Sequence, residues 1–358
     1  MAELTEGQKL TKRYIDIMKD NHACHFVCRD GYIFDNSPAA GRGEFERIMT
    51  VMDVRDFKLQ LQILRYLAWV SYADIQMIIR LAKMFEATQE IPNVVTNEGH
   101  LASLMTTLVK SGAVNRRSYR RYDGAIEKGL FYCYCLSDRG AMLFKDQTYY
   151  SEYIEENLVK KGDLEIMKRL ATNYIMTKFA PRMKACGHEV GYCRSVLSEG
   201  EKGIRRVLYG STESEKSYTV MEPAFYKRDA EAMTEEELEK WYNKRIRFLK
   251  ENLQTSGENK QKVFVLIIED SSWLKRAYLD YIDIIDICDQ VYVTSEALAN
   301  SYVSGPSPFL LVSLEKETAK KRMKEAKTTD LRSLGNELPL KLEAKKEDPP
   351  FLRRKGAE

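Results

Sequence analysis

No stretch of this chain approaches the 18 consecutive apolar residues of a membrane-spanning helix, which argues against a helical membrane anchor. The first twenty residues carry Glu3, Glu6, Lys9, Lys12, Arg13 and Asp16 and have no signal-peptide apolar core, so a cytoplasmic protein is expected. Neither sign of charge dominates: 56 Lys and Arg stand against 53 Asp and Glu, net +3, so a nucleic-acid surface has to arise from local clustering. Cysteine is sparse and odd in number, seven, which fits free thiols in a reducing compartment and not a disulfide framework. Gly41 and Gly43, in AAGRGEF, do not follow a strand or open a helix, so no phosphate loop is recognised. No internal repeat is present.

The composition, 44% hydrophobic and 30% charged over 358 residues, is that of a globular chain of two or three domains. Residues 1–55 read as an N-terminal extension, a polar helix followed by an extended piece ending at Asn36, Ser37 and Pro38. From Asp56 the period becomes helical. Phe57, Leu61, Leu64 and Leu67 with Ala68 mark one helix, and Ile75, Ile78, Ile79 and Ala82 a second that Ser71 can cap ahead of Asp74. In a third, Asn97 caps, Leu101, Leu104, Met105, Leu108 and Val109 form the stripe, and Gly112 stops it. The run from Leu130 to Leu136 has strong strand propensity, with Cys133 and Cys135 on one face.

The order of three helices and a basic hairpin, over residues 56–145, is that of a winged helix-turn-helix. There the third helix fits the major groove and the wing reaches phosphate. This segment holds 12 basic against 8 acidic residues. Its expected DNA-contacting residues are His100, Ser103, Thr106, Thr107 and Lys110 on the outer face of the third helix. Arg116, Arg117, Arg120 and Arg121, where that helix hands over to the wing, complete the set.

A helical connector is expected over 146–186 and an α/β domain over 187–315. Strands are expected at Val190–Val196, Arg206–Tyr209 and Tyr218–Met221, then a capping box at Thr234 and Glu237 opening a helix to Leu253. Val263–Ile268, Val291–Thr294 and Phe309–Leu314 alternate with helices, which implies an open sheet covered by helices. Residues 316–358 run to Lys, Glu and Pro and read as a disordered tail.

Two groups hold zinc-ligand residue types: His22, Cys24, His25 and Cys28, and Cys186, His188 and Cys193. Neither has CxxC spacing and they lie far apart, so no metal and no cofactor is expected. Acidic residues that a magnesium-dependent nuclease would need occur as Glu199 and Glu201 with Lys202, as Glu222, and as Glu269 with Asp270. Solvated strand ends account for them better, and no catalytic residue is assigned.

The run from Leu101 through MTTLVKSGAV to YCYCLSDRGAMLF is similar to the winged-helix half of the replication-relaxation family of bacterial plasmids and integrative elements. KVFVLIIEDSSWLKRAYLDYI and QVYVTSEALANSYVSGPSPFLLVSL look like that family's last strands, so the likeness covers residues 56–315. It implies a second domain related to restriction-endonuclease-like folds, whose motif is an Asp followed by Glu-x-Lys on adjacent strands. That motif is not placed in this chain, so the resemblance implies DNA binding. The expectation is a DNA-binding protein of a mobile element, acting on double-stranded DNA in replication, transfer or transcriptional control. Pairing of two copies, and contact with a replication, transfer or host protein, stay open. So do two alternatives, a metal-dependent nuclease and a host-protein-binding adaptor built on a winged-helix scaffold.

Overall fold

In chain order the elements are α1 Glu6–Lys19, β1 Gly31–Asp35, α2 Val54–Val70, α3 Ile75–Glu86, α4 Glu98–Lys110, β2 Val114–Arg121, β3 Phe131–Leu136, α5 Asp138–Met142, α6 Asp163–Ala185, β4 Glu189–Gly191, β5 Arg194–Leu197, β6 Arg205–Leu208, β7 Gly210–Glu213, β8 Ser217–Ala224, α7 Glu235–Thr255, β9 Gln261–Ile268, α8 Leu274–Asp280, α9 Ile282–Ile285, β10 Gln290–Thr294, α10 Glu296–Ser301, β11 Leu310–Ser313 and β12 Lys341–Ala344, closed by a 3-10 turn at Pro350–Leu352. The computed structural model describes residues 4–19, 31–35, 54–86, 98–121, 131–142, 163–192, 194–197, 205–225, 234–255, 259–269, 271, 274–313, 340–345 and 347–353; over 31–35, 54–58, 85–86, 119–121, 131, 142, 163, 194–197, 205–206, 235, 238–239, 275–276 and 279 it describes the backbone alone. The architecture is mixed α and β, and the chain divides into two units. One comprises residues 28–181 and 192–209, the other residues 1–27, 182–191 and 210–358.

In the first unit three helices precede a hairpin. The α4 stripe is the expected one, with Leu101, Leu104, Met105, Leu108 and Val109 all buried. The α2 helix departs from expectation, because Gln60 and Gln62 are buried beside Leu59, Ile63, Leu64 and Leu67. Between residues 59 and 70 only Arg65 and Trp69 are exposed, so this helix is enclosed on nearly all sides. Ser71 does not cap α3. It takes a left-handed conformation, φ 64°, and its N–H closes α2 on the Leu67 carbonyl. Asp74 caps α3 instead, its Oδ1 accepting the Met77 N–H at 2.6 Å. In the intervening connection Ala73 exchanges backbone hydrogen bonds with Tyr134 of β3, at 3.1 and 2.8 Å.

The hairpin is part of a three-stranded antiparallel sheet in the order β1-β2-β3, with Gly31 opposite Arg121 and Val114 opposite Leu136. Residues 1–55 are therefore no separate extension, since β1 completes this sheet while α1 belongs to the other unit. Ser137 ties the hairpin to the end of α4, its Oγ donating to the Gly112 carbonyl at 2.5 Å and accepting from the Gly140 N–H at 3.1 Å. Gly140 permits this approach, since a Cβ there would fall 2.0 Å from the Ala113 carbonyl oxygen.

The α6 helix is a core element and not a connector. Ile166, Met167, Leu170, Ile175 and Met176 are buried on it, and so are Arg169, Thr172, Asn173 and Thr177. Thr172, Asn173 and Thr177 find backbone acceptors, Asn173 Nδ2 donating to the Val70 and Tyr72 carbonyls at 2.6 and 2.9 Å. Arg169 Nε meets Glu165 Oε1 at 3.0 Å, and the Tyr209 hydroxyl donates to Glu165 Oε2 at 2.5 Å. The single strand expected at Val190–Val196 is two: β4 in the second unit, and β5, which pairs with β6 in the first.

A seven-stranded sheet in the order β12-β11-β10-β9-β8-β7-β4 forms the second unit. Only β8, β9 and β10 run parallel, and the strands on either flank are antiparallel. The central strand is the expected one, Val263 through Ile268 being fully buried. The chain turns at Gly305, φ 105°, and re-enters in the opposite direction.

The expected disordered tail is corrected over its described residues. β12 pairs with β11 from Leu310 opposite Ala344 to Ser313 opposite Lys341, and Phe351 and Leu352 are buried. Phe351 packs edge-on against Phe309 and Tyr292, with ring centroids 5.0 and 6.2 Å apart. The α1 helix packs on β12 and α10, where Thr11 Oγ1 accepts the Ala344 N–H at 2.9 Å and the Tyr14 hydroxyl donates to the Pro306 carbonyl at 2.9 Å. An ion pair between Arg182 and Asp348 anchors the same segment. Among the described residues no helix is long and apolar enough to cross a membrane.

Candidate nucleic-acid interface

The buried stripe of α4 leaves its opposite face outward. Ser103, Thr106 and Lys110 are exposed there, and His100 and Thr107 are half-buried beside them, so the structure brings all five expected residues onto one helix face. Thr106 Oγ1 donates to the Ala102 carbonyl at 2.8 Å and Thr107 Oγ1 to the Ser103 carbonyl at 3.2 Å. With those protons engaged within the helix, the two hydroxyl oxygens present lone pairs outward and act as acceptors. Lys110 places a cation at the end of the same face.

The four arginines separate. They lie along the central strand of the sheet, and alternation sends neighbours to opposite faces. Arg116 is half-buried, its guanidinium 5.0 Å from the Tyr132 ring centroid, a stacking that holds the charge at the sheet surface. Arg117 is 7% exposed, between Asp35 of β1 and Cys133 of β3 in the register. It is withdrawn from the surface set, because alternation turns it to the sheet face opposite Arg116, and there its cross-strand neighbour Cys133 is buried as well. Burial, reinforced by Cys135, drives the Tyr72 hydroxyl well above the ordinary phenol range, and the Arg117 charge opposes that shift. Burial likewise pushes the Cys133 thiol up, with Arg117 again opposing. Arg120 and Arg121 pair through their backbones with Tyr32 and Gly31 of β1; their side chains lie outside the described ones.

Of the acidic residues weighed as metal ligands, the structure describes Glu222 and Glu269, and neither belongs to a group of three ligating side chains among the described residues. Glu222 is not at a strand end but inside β8, fully buried, and Arg245 of α7 clasps it with Nε to Oε1 at 2.7 Å and Nη2 to Oε2 at 2.5 Å. The Tyr281 hydroxyl adds a third hydrogen bond at 3.1 Å. Glu269 is buried at the end of β9, while Glu199, Glu201, Lys202 and Asp270 lie outside the described residues. Cys186 is buried and donates to the Leu352 carbonyl at 3.3 Å, His188 is buried nearby in sequence, and Cys193 and the group from His22 to Cys28 lie outside the described residues. Among the described residues no three His, Cys, Asp or Glu side chains converge as a metal site requires. The sequence signal for Arg245 is a cation set into the apolar stripe of α7, three residues from both Tyr242 and Phe248, but its acid partner is not visible there.

Compared with protein-family models, with curated proteins and with solved structures, the chain matches none.

Proposed function

We propose that residues 54–142 are a winged helix-turn-helix that binds duplex DNA, with α4 as the helix entering the major groove and β2–β3 as the wing. The observation that carries this reading is the outward face of α4. It is polar and short-chained at Ser103, Thr106 and Thr107, ends in Lys110, and belongs to the last of three helices before a hairpin that displays Arg116. The Ala73–Tyr134 bridge supports it, because it ties the α2–α3 connection to the hairpin by an isolated antiparallel β-bridge. Hydroxyls that already donate within the helix suit the exocyclic amino groups of adenine and cytosine, whereas Lys110 and Arg116 suit phosphate.

The likeness of Leu101–Phe144 to the replication-relaxation family favours a DNA-binding protein of a mobile element, acting in its replication, transfer or transcriptional control. The seven-stranded unit is then a nuclease-like scaffold without turnover. Its best-placed carboxylate, Glu222, is held by Arg245 and Tyr281.

Selection from a randomised duplex pool with the full chain tests this. Enrichment of a short motif is expected, with Ser103→Ala and Thr107→Ala changing which sequences are enriched. Replacing Lys110 and Arg116 by Ala should weaken all sequences alike and lower the salt slope by about 2. Absence of both enrichment and salt-dependent duplex binding would overturn the reading. So would magnesium-dependent cleavage of the pool, or a host protein retained on the chain after nuclease treatment with no DNA bound.

A further inference from the structure

Arg80 of α3 places its guanidinium 4.6 Å from the centroid of the Tyr174 ring on α6, so these two helices of the first unit meet there. Tyr174 is buried and Arg80 half-buried. A guanidinium stacked by its face donates only through its edge, and on that edge Nη1 is buried with no hydrogen-bond partner among the described residues. A charged donor in that setting is costly unless something accepts from it.

A second cation stands beside it. Lys178 follows Tyr174 by one turn of α6 and so shares that side of the helix. It is half-buried, and its amine is lowered to about 8, by burial first and then by the Arg80 charge, so the two cations are within electrostatic reach of one another. The carboxylate of Glu165 on the same helix is about 20 Å away along the axis. It is taken by Arg169 and Tyr209. Like charges held together away from bulk water repel, and an anion that accepts from the Arg80 edge while lying beside Lys178 relieves both strains.

The chemistry of the pair selects the anion. Arg80 offers a planar fork and Lys178 a compact point charge, a combination suited to phosphate oxygens. A terminal phosphate group carries a charge of about −2 near neutral pH, which matches two cations. A carboxylate brings one charge. An internal phosphodiester also brings one and is flanked by sugar on both sides, whereas a terminal phosphate turns three oxygens toward the seam between two helices.

We propose that the seam between α3 and α6 is a binding site for a terminal phosphate group, held by the guanidinium edge of Arg80 and the ammonium of Lys178 beside the Tyr174 ring. The site is distinct from the outward face of α4 and from the hairpin, and it does not depend on the DNA-binding reading.

The test uses the full chain, with inorganic phosphate and phenyl phosphate as probes and sodium chloride at equal ionic strength as the reference. Both probes should raise the melting temperature saturably. At ten times the half-saturating concentration they should slow acylation of Lys178 by an N-hydroxysuccinimide ester about tenfold, since about one site in eleven is then empty. The exposed Lys240 of the other unit should react at an unchanged rate, and mass spectrometry of peptides reads both. Arg80→Gln and Lys178→Met should each weaken phosphate by about tenfold or more, the effect of losing a charge-assisted hydrogen bond. Lys178→Arg should keep the binding. If Arg80→Gln fails to fold, Arg80→Lys, which retains the charge and loses the fork, should still weaken phosphate, and the acylation of the parent needs no variant.

Equal acylation of Lys178 in phosphate and in chloride overturns the proposal, as does saturable stabilisation that survives both neutralising substitutions. Protection of Lys178 by a mixed-sequence duplex, where neither probe protects it, would give the two cations to the DNA backbone and overturn it as well. Tighter binding of phenyl phosphate than of inorganic phosphate would make an organic ester the source of the group and the reverse the free ion, and either upholds the site.

Discussion

Arg245 grips both carboxylate oxygens of Glu222 inside the seven-stranded unit, two charges that are 7% and 0% exposed. A buried ion pair of this geometry adds little over a well-packed apolar pair, but removing one partner strands the other charge. Glu222→Ala should therefore lower stability by about 3–5 kcal/mol, as should Arg245→Met. The double variant Glu222→Met, Arg245→Met should recover most of that loss in a urea titration. A stable, fully folded Glu222→Ala would mean that the carboxylate has no structural part.

The C-terminal residues contribute to folding. Phe351 is fully buried between Phe309 and Tyr292, so Phe351→Ala should cost about 3–5 kcal/mol. Deleting residues 340–358 should lower the melting temperature further, because the β11 edge then also loses its partner strand. A melting temperature within a degree or two of the parent's would contradict the packing described.

Lys178 of α6 carries a pH dependence. Burial, aided by the neighbouring Arg80 charge, lowers its amine from 10.5 to about 8. The unfolded chain therefore binds more protons than the folded one between those values, and stability rises with pH across that window. The penalty is fully present below pH 8 and is relieved as the pH passes 10.5. Lys178→Met should flatten this rise, and chemical-denaturation midpoints of parent and variant at pH 7 and 9.5 should converge at the higher pH.

Asn173 fastens α6 to the end of α2 through two carbonyls. Asn173→Ala leaves both without that donor and should cost about 2–4 kcal/mol, taking about 1–2 for each buried acceptor. Hydrogen exchange at Ser71 and Tyr72 should rise more than at β9, which belongs to the other unit.

Four cysteines, Cys133, Cys135, Cys186 and Cys288, are buried thiols. Under native conditions an alkylating reagent should leave these four unmodified, and denaturation should open all of them to labelling. Mass spectrometry of peptides after each treatment reads the difference.

Local chemistry by itself determined much of this protein. The spacing from Leu101 to Val109 specifies both the buried and the outward side of α4. Gly112 ends that helix at φ 73°, and Thr234 and Glu237 make the reciprocal capping bonds that open α7. The six apolar residues from Val263 to Ile268 can be covered only in the middle of a sheet. In each case the partners are near in sequence, or the burial requirement is met by any apolar neighbour.

What only the tertiary structure decided involves a partner far along the chain. Arg116 and Arg117 are identical in composition and adjacent, yet one stacks on Tyr132 at the surface and the other is enclosed, because they point to opposite faces of β2 and only packing by residues distant in the chain decides which face is covered. Residues 340–353 average out as a charged tail. Their few apolar groups find the β11 edge and the Phe309–Tyr292 pocket, which composition cannot foresee. Glu222 reads as a weak metal ligand until Arg245, 23 residues on, closes over it.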